Sequence, residues 1–134
     1  MPPESSRVGT SDEWLRRAKS NLALAEQPKP AEVIWEDLCF EAQQAAEKAI
    51  KAVLVQREID FPKRHDIRLL LTLLAQAGDK VPDEVSDAID LTTYATEARY
   101  PGEYEPVTEA AYRSAVATAE KVVDWAETRL RGTE

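Results

Sequence analysis

The chain contains one histidine, one cysteine and one methionine in 134 residues, and each scarcity closes off a chemistry. With Cys39 alone, no intrachain disulfide can form, which fits a reducing compartment. A catalytic thiol needs an imidazole beside it, and His65 is the only imidazole in the chain. Cys39 therefore reads as a small core residue. One histidine without a second imidazole or a thiol nearby argues against a metal site. With Met1 as the sole methionine, a soft Met-rich binding groove is excluded. There is no Gly-rich phosphate loop, no Gly-x-Ser-x-Gly elbow and no metal-binding histidine pair. No apolar run approaches the length of a membrane span, and Met1–Arg7 lacks the apolar stretch of a signal peptide. Together these absences lead us to expect a cytoplasmic protein with no cofactor, no metal and no membrane association.

Positive charge is also scarce, with 17 basic residues against 25 acidic ones and a net charge of −8. Phosphate contacts supply most non-specific affinity for nucleic acid, so general nucleic-acid binding is not expected of this chain. A local basic pocket remains compatible with that balance. The 43% hydrophobic fraction is ordinary for a soluble globular protein, and the length suits one domain with a real core. Few glycines and abundant Ala, Glu and Leu favour helix over sheet.

Apolar residues recur at helical spacing almost throughout. Residues 1–10 read as a flexible tail, and Thr10-Ser11-Asp12-Glu13 reads as a capping box. The first helix runs to about Glu26 through Trp14, Leu15, Ala18, Leu22 and Ala25. Gln27-Pro28-Lys29-Pro30 ends it. The second spans Ala31 to Glu58, with Trp35, Leu38, Ala42, Ala45, Ala46, Ala49 and Val53 as its stripe. Glu41, Gln44, Lys48 and Lys51 are expected to point away. The third begins near Asp66 and carries Ile67, Leu70, Leu71 and Leu74. Pro82 opens the fourth, whose stripe of Val85, Ala88, Ile89 and Thr92 runs toward Thr96. Pro101-Gly102 breaks it, and Pro106 begins a long fifth helix through Tyr112, Ala119, Val123 and Leu130. No segment alternates long enough for a strand. The expected fold class is all-α: an up-and-down antiparallel bundle of about five helices, one domain over residues 11–130, with a short tail at 131–134.

Two groups of polar residues stand out. Gln43 and Glu47 sit one turn apart at the edge of the second helix's packing face, and such groups need partners. Arg99, at the end of the fourth helix, is the expected partner of Glu47, with Gln43 or Tyr94 completing the hydrogen bonds. An arginine there can hold a phosphate or fix helix register by pairing with the acid. Tyr100, Tyr104 and Tyr112 add aromatic surface that can stack a base or simply pack. Lys63, Arg64 and His65 precede the third helix, where free amides and the helix dipole favour anions, so they form a secondary anion-binding candidate. The alternative is a solvated turn in which His65 or Asp66 caps the helix.

Phe40-x-x-Gln43-Gln44-Ala45-x-Glu47-Lys48, then His65-Asp66, then Ala98-Arg99-Tyr100-Pro101 resembles the HEPN family, the higher-eukaryote and prokaryote nucleotide-binding domain. The order and spacing of the three segments carry the resemblance over nearly the whole chain. It implies a helical bundle with a four-helix core, a homodimer, and a functional region at the end of the fourth helix. It also implies a module that helps bind nucleotide or substrate beside a minimal nucleotidyltransferase. Catalytic members of the family carry a histidine four to six residues after the arginine. Here Arg99 is followed by Tyr100-Pro101-Gly102-Glu103-Tyr104-Glu105-Pro106, with no histidine, and no catalytic residue is expected. A toxin-like endoribonuclease with an atypical site and a dimerisation scaffold without ligand are the competing expectations.

Overall fold

The computed structural model describes residues 9–95 and 105–132. Five α-helices and one 3-10 helix account for most of them, with no strand among the described residues. Helix α1 spans Ser11–Ala25, α2 Trp35–Gln56, α3 Ile67–Gln76, α4 Asp83–Ser86 and α5 Glu109–Leu130. The 3-10 helix, Asp87–Ala95, continues directly from α4. Local chemistry sets the starts. Thr10 Oγ1 accepts the Glu13 amide, Asp66 Oδ1 accepts the Leu69 amide, and Thr108 Oγ1 accepts the Ala111 amide. Only half of the expected capping box forms, because the Glu13 carboxylate pairs with Arg16 and Arg17 instead.

Helix α2 lies at the centre, packed by α1, α5, α3 and the 3-10 helix. Ala42, Ala45, Ala46 and Ala49 are wholly buried, and their small side chains allow close approach of the neighbours. One expectation for this helix fails. The sequence pattern turns Lys51 outward, yet the residue is buried. Lys51 lies four residues after Glu47, so one turn of helix brings its ammonium to that carboxylate. The Trp14 and Phe61 rings enclose its stem, with Nζ 5.4 Å and 5.5 Å from the ring centroids.

The fourth helix also departs from expectation. It begins as four α residues and tightens into a nine-residue 3-10 helix. Val85, Ala88 and Leu91 are buried, a spacing of three, where an α-helical stripe would be Val85, Ala88, Ile89 and Thr92. A helix with three residues per turn eclipses every third side chain, so it buries Leu91 in place of Thr92.

Two helix ends fix the connections. At the end of α2, Ile59 N bonds Leu54 O and Glu58 N bonds Val55 O, with Glu58 in the left-handed region at φ 59°. At the end of α3 the same pattern uses Asp79 N to Leu74 O and Gly78 N to Ala75 O, with Gly78 at φ 91°. Both are Schellman ends, but only the second has the glycine that suits the left-handed residue. The turn at Gly78 delivers Asp79 into the bundle, where its carboxylate accepts hydrogen bonds from Arg57, just past α2, and from Arg129 in the last turn of α5. The ends of three helices meet on one acid.

Candidate functional site

The polar network begins on α2, where Gln43, Glu47 and Lys51 follow at intervals of four and share one face. Gln43 and Glu47 are buried to 0% and 1% exposure, deep for an amide and a carboxylate. Burial is tolerated because the partners are in place. Gln43 Nε2 donates to Glu47 Oε1 at 2.8 Å and Lys51 Nζ donates to Glu47 Oε2 at 2.8 Å. Gln44 Nε2 closes the outer end by donating to Gln43 Oε1 at 2.8 Å. The last partner comes from another element. His65, in the connector before α3, places Nδ1 at 3.0 Å from both carboxylate oxygens.

Sequence reasoning missed this last contact, because His65 and Glu47 lie 18 residues apart on different elements. The Gln43–Glu47 pair, by contrast, is readable from spacing, although the same pattern turned Lys51 outward. The carboxylate of the network is buried, its Gln44 end is half-buried, and its histidine end reaches solvent most, with 61% of the His65 side chain exposed. Lys63, Arg64 and Arg68 are exposed around it and make no ion pair among the described residues. Asp66 fills the N-cap of α3, so the cap position of that helix is already occupied by a carboxylate.

Arg99, Tyr100 and Tyr104 lie outside the described residues, so the expected approach of Arg99 to Glu47 does too. The neighbours of that stretch are placed. The 3-10 helix packs on α2 and ends at buried Ala95. On the far side, the Val107 amide donates to Glu36 at 3.1 Å. Glu36, Gln43 and Glu47 are separated by about two and three helical turns, which puts them on one face of α2. Tyr94 packs against the core and lines a groove of about 320 Å³ between the 3-10 helix and α5, together with Asp87, Asp90, Ser114 and Thr118. Tyr112 is a packing residue. Its ring lies 4.6 Å from that of Trp35 and its hydroxyl donates to Ala25 O at 2.6 Å, while burial pushes its phenol above the usual range. Cys39 is buried as a thiol among the small core side chains. No group of three or more His, Cys, Asp or Glu side chains that could hold a metal occurs among the described residues. No helix is long and apolar enough to cross a membrane among them.

The fold and its polar network define a class: a small helical bundle whose central helix carries a buried amide–carboxylate–ammonium ladder ending at a surface imidazole. The HEPN domain pattern is matched across residues 11–129, and the chain belongs to that family. It is similar to TT1696 from Thermus thermophilus, at 30% identity and TM-score 0.73, over 87% of this chain and 95% of that one. It is also similar to ST0689, described as an archaeal HEPN homologue, at 26% identity and TM-score 0.71, over 91% of this chain and 98% of that one. Comparison with curated proteins gives no match.

Proposed function

We propose that the chain is a non-catalytic HEPN module that binds nucleotide or a nucleotide-bearing substrate beside a minimal nucleotidyltransferase, which supplies the metal and the chemistry. The observation that carries this reading is the network on α2. It ends at an exposed imidazole among three cations that make no ion pair among the described residues, a local basic surface on an acidic chain. Membership of the HEPN family supports the nucleotide class. The run from Arg99 to Pro106 has no histidine, which supports a binding role over cleavage. The module works as a homodimer in this reading, with a two-fold contact that uses the same patch on each copy.

The reading is tested by co-purification and by RNA. The tagged chain should bring down a small nucleotidyltransferase encoded beside it, and structured and single-stranded RNA should stay intact in its presence. A competing endoribonuclease reading is favoured by one observation, a histidine buttressed by a carboxylate. Cleavage that survives repurification and is lost in Arg99→Ala or His65→Ala would establish that reading in place of ours. A mass of 15.0 kDa by light scattering at micromolar concentration would remove the homodimer.

A further inference from the structure

The Glu47–His65 contact has a chemical direction. Glu47 faces the Lys51 ammonium as its ion-pair partner, at 2.8 Å. A carboxylate offers only acceptors, so the ring nitrogen that faces it, Nδ1, carries the proton. The other ring nitrogen, Nε2, is turned away from Glu47. It makes no hydrogen bond among the described residues. The imidazole is thus held at one edge by a carboxylate that is 2% exposed, while the ring as a whole stands 61% in solvent. Structural pinning of the connector needs only the Nδ1 contact. It does not account for Lys63, Arg64 and Arg68, exposed side chains next to His65 in sequence that make no ion pair among the described residues, although Asp66 caps α3 beside them.

We infer that His65 Nε2, with Lys63, Arg64 and Arg68, is the contact for the phosphate end of a nucleotide, a phosphate monoester. This rests on the nucleotide-binding reading above and adds which part of the ligand sits where. The site does not depend on the amides of α3, because Asp66 already caps that helix. A phosphate monoester still holds an exchangeable proton near neutral pH. The phosphate O–H donates a hydrogen bond to the Nε2 lone pair, with no bond broken and nothing oxidised or reduced, while Glu47 holds the opposite edge of the ring through Nδ1. The three flanking side chains add charge-assisted hydrogen bonds to the remaining oxygens. The nucleoside end is left free to extend from the bundle toward a partner.

His65 is the only histidine, so its ring protons give isolated signals in a proton NMR spectrum of the full chain. AMP and inorganic phosphate should each move those signals to saturation, whereas adenosine at equal concentration should not. His65→Gln, and separately Lys63→Ala with Arg64→Ala, should weaken AMP binding about tenfold or more. Each change is at an exposed side chain, and circular dichroism of each variant should match the parent chain. Lys121→Ala, at an exposed cation on α5, should leave AMP affinity unchanged. If AMP binds while the His65 signals stay fixed and Arg99→Ala abolishes binding, this inference is overturned and the nucleotide-binding reading stands. If neither AMP nor phosphate binds, both fall. Shifts reproduced by chloride at matched ionic strength would also overturn the site.

Discussion

Removing the Glu47 carboxylate is the sharpest test of what the α2 network does for the fold. In Glu47→Ala the Lys51 ammonium stays where it is, 8% exposed at its side chain and enclosed by Trp14 and Phe61, with its ion-pair partner gone. Gln43 and His65 lose their acceptor in the same step. Breaking a buried pair from one side costs roughly 3–5 kcal/mol, because it leaves an uncompensated charge out of water. A single domain typically has about 5–15 kcal/mol of stability, so that loss is a large share of the total. With a urea slope of about 1–3 kcal/mol per molar, the unfolding midpoint should fall by about 1 M or more. The partner experiment removes both charges. Glu47→Ala with Lys51→Met leaves no stranded ammonium, and a buried pair replaced by apolar groups is often neutral, or stabilising by about 1–4 kcal/mol. The double variant should therefore be more stable than Glu47→Ala alone, and it keeps the cycle readable if the single variant unfolds. A cost below about 1 kcal/mol for Glu47→Ala, the size seen for exposed pairs, would refute the reasoning. So would a double variant no more stable than the single one.

Three further outcomes are expected. Glu58→Gly should raise stability by about 1 kcal/mol, since a left-handed residue other than glycine costs roughly 1–2 kcal/mol; an unchanged or lower melting temperature would show that Glu58 is not strained. Asp79→Ala should cost about 1.5–3 kcal/mol, the range for hydrogen bonds to charged groups, and thermal unfolding should show the loss even though Arg57 and Arg129 are each partly exposed. Glu127 is held below the usual carboxylate range, first by its hydrogen bond to Lys19 and then by Arg131. Its folded-state pKa is therefore lowered, so the stabilisation is present above the unfolded-state value and disappears as pH falls through the folded one. Denaturant midpoints measured down through the acid range should fall less steeply for Glu127→Gln than for the parent chain. Identical acid slopes would rule this coupling out.

The sequence by itself determined the all-helical class, because an apolar period of 3.6 persists through α1, α2, α3 and α5 and needs no tertiary information to be seen. It determined the cap at Thr10 and offered Asp66 as one, since a capping side chain acts within three residues of itself, whereas Thr108 caps a fifth helix that the sequence pattern starts at Pro106. The Gln43–Glu47–Lys51 spacing was equally local. The direction of Lys51 was not, because pattern alone assigns a lysine to water, while the tertiary fold supplies two rings and a carboxylate that hold it inside. Only the tertiary structure decided the 3-10 form of the fourth helix, where packing against α2 and α5 selects Leu91 over Thr92. Asp79 joins Arg57 and Arg129 for the same reason, as loop and helix ends distant in sequence converge at one end of the bundle. The histidine is the clearest case. Sequence marked His65 as the chain's single imidazole and set it apart from Glu47, since nothing in one-dimensional spacing relates a connector to the middle of a helix. The fold brings Nδ1 to within 3.0 Å of both oxygens of a buried acid, and that contact gives the ring its orientation.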